Sequence, residues 1–313
     1  MTEQVAHLVR PDVAEFLGFL NGQEGPPMQE LGAETARAMI VGLGQAADAP
    51  RGDIAKVEEI MIPGPGGDLR LRVYDNRPDR EAGPVMVFYH GGGWVICDLD
   101  THDAYCAEAA RQLDIPVVSV DYRRAPEHVF PAAHDDAEAA ARWVADHFPC
   151  TGLVLAGDSA GGNMAITTAL ALRDKPASKA VLAINPIYPV VTRNGDWQSF
   201  RDFAEGYLLS VDGMTWFNSL YAADPTDRRA SPLDFPAEGL PPTLLVTAGL
   251  DALRDQGRAY AAKLVTAGVP TIYREAAGTV HGYICLARGV PSAKDDIDGG
   301  LAALKALIAE ATK

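Results

Sequence analysis

The chain has 313 residues, of which 48% are hydrophobic and 22% charged, enough for one large α/β domain or two small ones, with a substantial core. Its net charge of −15, with no local run of lysine and arginine, argues against nucleic acid or an anionic membrane as a partner. No apolar stretch reaches the roughly 18 residues a bilayer span requires, so stable membrane insertion is not expected.

The four cysteines, Cys97, Cys106, Cys150 and Cys285, show no C-x-x-C pair and no zinc-like spacing. They read as reduced thiols, and the first twenty or so residues lack the basic start and apolar run of a signal peptide. A cytoplasmic location is the expectation.

In chain order, residues 1–50 read as helical, with Val13, Phe16, Leu17 and Leu20 at helical spacing. Residues 56–63 and 68–75 flank Gly64-Pro65-Gly66-Gly67, a hairpin signal. Short apolar runs follow at 84–89, 117–122, 153–156, 180–184, 243–247 and 271–274, each readable as a buried strand. Helical patterns at 103–113, 133–147, 160–173, 255–267 and 300–311 separate or follow them. Near-continuous apolar strands alternating with helices predict a mostly parallel sheet of about eight strands, entered through an antiparallel hairpin and covered on both faces. Residues 187–235 break the alternation. They look loop-like and carry Tyr188, Trp197, Phe200, Phe203, Tyr207, Trp216, Phe217 and Tyr221. Because they leave the sheet where ligand sites lie, they are expected to form a cap over the site. Residues 51–186 and 236–313 then make up the catalytic domain.

Two glycine-rich segments carry the chemistry. Gly157-Asp158-Ser159-Ala160-Gly161-Gly162-Asn163 lies between a predicted strand and a predicted helix, the setting of a nucleophile elbow. His90-Gly91-Gly92-Gly93-Trp94 also follows a strand and offers backbone N–H groups that no side chain crowds. It lacks the Gly-Lys-Ser/Thr ending of a phosphate-binding loop. Acyl transfer needs both parts, a nucleophile and an oxyanion hole, here expected from Gly91, Gly92 and Ala160. A serine also needs a base and an orienting acid. Of seven histidines only His281 follows the last predicted strand on a polar loop, and Asp251 follows the strand at 243–247. Asp255, one helical turn on, competes with Asp251. Ser159, Asp251 and His281 occur in the chain order of an α/β-hydrolase triad. Trp94, Asp158, Phe203, Tyr207, Leu208, Trp216 and Tyr283 are candidate pocket residues.

These segments, with Asp251–Asp255, His281-Gly282-Tyr283 and Asp121–His128, resemble the hormone-sensitive-lipase-type bacterial carboxylesterases of the α/β-hydrolase fold. The resemblance covers roughly residues 56–313. It departs from the family at Cys97, Ala252 and Tyr283, where glycine, proline and phenylalanine are usual. It implies a helical cap of which residues 1–50 are part, a small-molecule ester as substrate, hydrolysis through an acyl-enzyme and no metal or organic cofactor, and it admits a homodimer. A capped, aromatic-lined site suits short to medium acyl groups. The same triad also serves amidases or deacetylases acting on small arylamides. A non-catalytic receptor on this fold is expected to have lost the base, whereas His281 is present. The charges of Asp121–His128 are expected to pin the loop beneath the site.

Overall fold

The computed structural model describes residues 7–77 and 79–313. Two helices come first, α1 (Pro11–Asn21) and α2 (Gly32–Ala47), then the hairpin β1 (Lys56–Gly64) and β2 (Gly67–Asp75). Strand and helix alternate through β3 (Gly83–Tyr89), α3 (Asp103–Leu113), β4 (Val117–Val120), α4 (Ala132–His147), β5 (Cys150–Asp158), α5 (Ala160–Asp174) and β6 (Val181–Ile187). Two short helices follow, α6 (Gln198–Asp202) and α7 (Val211–Tyr221). The chain closes with β7 (Thr243–Leu250), α8 (Arg254–Thr266), β8 (Thr271–Val280) and α9 (Ala293–Ala311).

All strands join one sheet in the order β1-β2-β4-β3-β5-β6-β7-β8. The β1–β2 and β2–β4 pairs are antiparallel and the remaining pairs parallel, as the apolar pattern predicts. Side chains alternate across β3 and divide the core in two. Val85, Val87 and Tyr89 share a cluster with Ala137 and Val144 of α4 and Ile166 and Ala169 of α5. Met86 and Phe88 belong to the opposite cluster, with Leu113 of α3 and Leu301 and Leu304 of α9. Both faces are covered, so the central strands have no polar alternation, and each buried Val, Leu or Phe contributes about 1.5–3 kcal/mol. The edges are blunted by exposed charges, Glu59 on β1 and Arg274 on β8.

Two elements differ from the sequence expectation. α9 starts at Ala293 rather than residue 300, because its acidic first turn (Asp295, Asp296) hides the apolar face begun by Ala293 and Ile297. The 187–235 segment contains α6 and α7, the latter capped by Ser210, whose hydroxyl accepts from the Gly213 N–H. The topology places the site. β4 and β5 flank β3 on opposite sides, so the loops after β3 and β5 part around a crevice, while β7 and β8 end nearby.

Candidate active site

β5 ends at Asp158 and α5 begins at Ala160, so Ser159 alone makes the turn, at φ 54° and ψ −116°. A non-glycine residue held there is strained, and its surroundings fix it. The Ser159 N–H donates to Ile187 O at 2.8 Å, and its carbonyl accepts from Asn163 N at 3.1 Å and Val190 N at 3.3 Å. The flanking glycines are sterically required. A Cβ on Gly157 would sit 2.5 Å from Tyr89 O, and one on Gly161 would overlap that same carbonyl. The turn therefore depends on the closeness of β5 and β3.

His281 follows β8, and its Nδ1 lies 2.8 Å from Asp251 Oδ2. The other oxygen of Asp251 accepts the Leu253 N–H at 2.9 Å, which fixes the carboxylate. Asp255 points elsewhere, accepting from Ser199 N at 2.9 Å and pairing with Arg254 at 2.8 Å. Nε2 of His281 and Oγ of Ser159 have no hydrogen-bond partners among the described residues, and both residues line one cavity of about 300 Å³. No hydrogen bond joins the two; such contacts commonly tighten when substrate binds.

The loop after β3 corrects one expectation. Gly91 N–H donates to Asp158 Oδ1 at 2.7 Å, so it is spent, and Gly91 does not line the cavity. Gly92 and Gly93 do, at φ 102° and 59°, a region that suits glycine. The N–H groups of Gly92, Gly93 and Ala160 have no acceptor among the described residues. The glycine spacing carries no signal for the carboxylate that claims the first of them.

Asp158 itself is held by a residue the sequence did not single out. His102 Nε2 stands 3.0 Å from Asp158 Oδ1, and His102 Nδ1 lies 3.0 Å from Thr101 Oγ1. Burial opposes charge on both partners, yet their mutual attraction prevails. The histidine is held above its ordinary pKa and the carboxylate below its own. Behind the loop, burial above all pushes His90 down to about 3, so it is neutral. Tyr122 stacks on His90 with ring centroids 4.2 Å apart and donates to His90 O at 2.8 Å.

The candidate pocket residues separate into two groups. Trp94, Asp158 and Leu208 line the cavity, whereas Phe203, Tyr207, Trp216 and Tyr283 do not. Phe203 is fully buried against Tyr207 and under Arg254. Tyr283 packs edge-on against Tyr188, which in turn lies 4.5 Å from the His281 ring. Of the eight aromatics named in residues 187–235, only Phe200 and Phe217 reach the cavity, where aliphatic side chains outnumber aromatic ones. Tyr221 instead joins the core cluster on one face of the sheet, with Trp216 packed against it, and Tyr188 and Phe203 join the other, with Tyr207 packed against it. Ile40 and Leu43 of α2 and Val211 and Met214 of α7 form part of the cavity wall.

The sequence of residues 86–285 matches the family described as alpha/beta hydrolase fold. The chain belongs to that family. Among its relatives, Esterase LipI of Mycobacterium tuberculosis is 38% identical over 83% of this chain and 86% of its own length. An ethyl acetate hydrolase of Pseudomonas putida is 33% identical over 88% of this chain and 92% of its own. An ester hydrolase from the metagenome of Lake Arreo, solved with a bipyridine phosphonate derivative, superposes with a TM-score of 0.90 at 35% identity, covering 96% of this chain and 99% of that one. A thermostable esterase from Pseudomonas putida gives 0.91 at 32% identity, covering 97% and 98%. The hormone-sensitive-lipase-type resemblance stands with these bacterial esterases.

The Asp121–His128 segment braces the site from below. Arg123 pairs with Asp136 at 2.8 Å and Arg124 bonds Cys97 O. Arg37 of α2 holds Glu127 at 2.6 Å and Val95 O at 2.8 Å, tying the N-terminal helices to the glycine loop. Among the described residues no group of three or more His, Cys, Asp or Glu is placed to hold a metal ion, and no helix is long and apolar enough to cross a membrane.

Proposed function

We propose that this chain is a serine carboxylesterase acting on short- to medium-chain acyl esters. One observation carries the reading. The 2.8 Å bond from His281 Nδ1 to Asp251 leaves Nε2 open on the same cavity that holds the strained Ser159. Ser159 Oγ attacks the ester carbonyl as His281 Nε2 takes its proton. Asp251 accepts from Nδ1–H and stabilises the imidazolium. The oxyanion settles among the N–H groups of Gly92, Gly93 and Ala160, at the positive end of α5. Collapse expels the alcohol, which leaves with the proton from His281, and Ser159 remains acylated. Water then gives a proton to His281 and attacks; the carboxylic acid departs and Ser159 recovers its hydrogen.

The cavity is at the small end of the ~300–1,000 Å³ typical of ligand sites, which favours short and medium acyl chains over palmitoyl. Four free thiols support a reducing, cytoplasmic setting. Purified wild-type and Ser159→Ala proteins assayed on para-nitrophenyl butyrate test the mechanism. A loss in kcat of about 10⁴–10⁶ is expected. Retained hydrolysis would end the serine-nucleophile reading. Acetyl, butyryl and palmitoyl esters, with para-nitroacetanilide in parallel, test chain length and separate ester from amide cleavage.

A further inference from the structure

One wall of the cavity does not suit a purely apolar acyl chain. Arg193 lies three residues beyond Val190, whose N–H donates to Ser159 O at 3.3 Å, so it stands within about 10 Å of that contact along the chain. Its backbone is fixed by a 3.1 Å bond from Arg193 N–H to Ser231 Oγ. Its guanidinium carbon lies 5.1 Å from the Trp94 ring centroid and 5.8 Å from that of Tyr221, two rings stacked 4.7 Å apart. Asn218 Oδ1, from an exposed residue of α7, accepts from Nη1, while Nε and Nη2 have no acceptor among the described residues. No carboxylate among those residues pairs with this cation, although burial only draws its pKa down to about 10 and leaves it charged at neutral pH. Nε and Nη2 of this half-buried side chain are shut off from solvent, and desolvating a cation is unfavourable unless a charged acceptor meets it.

Gln256 of α8 lies on the same wall. Its Oε1 accepts the N–H groups of Val191 at 2.8 Å and Thr192 at 3.2 Å, which fixes the orientation of the amide. The residue is fully buried, and its Nε2 has no acceptor among the described residues. Both side chains line the cavity that holds Ser159 and His281. Two residues bound to adjacent backbone thus place donors without acceptors, and one positive charge, in the lining of that cavity.

We propose that Arg193 and Gln256 form an anion subsite, so that the enzyme's substrates are esters carrying a free carboxylate a short spacer away from the scissile bond. The subsite rests on the ester-hydrolase reading and specifies its substrate class. The carboxylate meets the guanidinium on the edge that the neutral oxygen of the exposed Asn218 side chain now occupies, and takes its place there. Charge-assisted bonds of this kind discriminate strongly against a neutral isostere.

The test compares kcat/KM for mono-para-nitrophenyl glutarate with para-nitrophenyl valerate, and for acetylated 3-hydroxypropionate with propyl acetate. The first pair places the charge on the acid side and the second on the alcohol side. In at least one pair the charged ester is expected to be favoured about tenfold or more, and Arg193→Met to reduce that ratio about tenfold. Gln256→Glu, which keeps the acceptor for the two backbone N–H groups but sets a carboxylate beside Arg193, is expected to reduce it too. Wild-type ratios near one in both pairs, or an Arg193→Met loss equal for charged and neutral esters, overturn the subsite and leave Arg193 a packing residue on Trp94. Calorimetry of the wild-type protein with glutarate against glutaramide reads the subsite without turnover or a variant, and equal binding overturns it. Failure to cleave any ester, charged or neutral, defeats the esterase reading alone, and the calorimetric arm still decides the subsite.

Discussion

The His281–Asp251 and His102–Asp158 pairs lie at the same end of the sheet, both buried, with both histidines on the wall of one cavity. They differ in what each imidazole has left to offer. His102 has a neighbour at each nitrogen, Thr101 Oγ1 and the Asp158 carboxylate, each at 3.0 Å. His281 has one nitrogen engaged by Asp251 and the other open to the cavity. A proton shuttle needs a free nitrogen within reach of the nucleophile, so burial beside a carboxylate does not suffice. The second pair does mechanical work, because Asp158 also holds Gly91 N–H and thereby sets the direction of the two amides that follow.

That difference is broken most sharply by removing the open nitrogen. His281→Ala is expected to lower kcat on para-nitrophenyl butyrate about 10⁴-fold or more, and Asp251→Asn by about 10⁴, through the wrong tautomer. His102→Gln and Asp158→Asn are expected to cost about 10²-fold, the order of one misplaced oxyanion donor, chiefly in kcat with KM little changed. Were His102→Gln as damaging as His281→Ala, the distinction between proton carrier and brace would collapse.

How much of this could be read from the sequence depends on whether local pattern or tertiary contact decided it. The central strands announced themselves because burial on both faces leaves only apolar residues, and Ser159 because Gly157 and Gly161 record how closely β5 approaches β3. Asp251 and His281 are legible only by their place after strands, and the structure sets them 2.8 Å apart. Nothing local marks His102 as the partner of Asp158, 56 residues away (158 − 102), so the diversion of Gly91 stayed hidden. The aromatics of residues 187–235 misled for a related reason. Composition shows that they must be buried, not whether against substrate or against one another, and Phe203, Tyr207 and Trp216 chose the latter.

The smallest expected effect concerns pH and sets the brace against its neighbours. Burial above all pushes His90 down to about 3 and His134, bonded to Asn163 and Tyr221 at 2.8 Å each, down to about 4. In the unfolded chain both titrate near 6.5. Below that pH the unfolded state binds a proton that the folded state refuses, so stability falls with pH by about 1.4 kcal/mol per unit for each of them. His102 runs the other way. Its folded pKa is raised, so its contribution is fully present below about 6.5 and is lost as pH rises through the folded value. Asp48, pushed up by burial, opposes the acid loss only near the carboxylate range, which makes pH about 5 to 6 the useful window. Urea unfolding there should show wild-type stability falling toward acid by roughly 2–3 kcal/mol per unit, and His134→Gln should remove about half of that slope. His102→Gln should leave the acid slope alone and flatten the decline above pH ~7 instead. An acid slope that survives His134→Gln unchanged would place the proton uptake on some group other than the buried neutral histidines, while a decline above neutrality that survives His102→Gln would mean that the charge on the brace adds nothing to the fold.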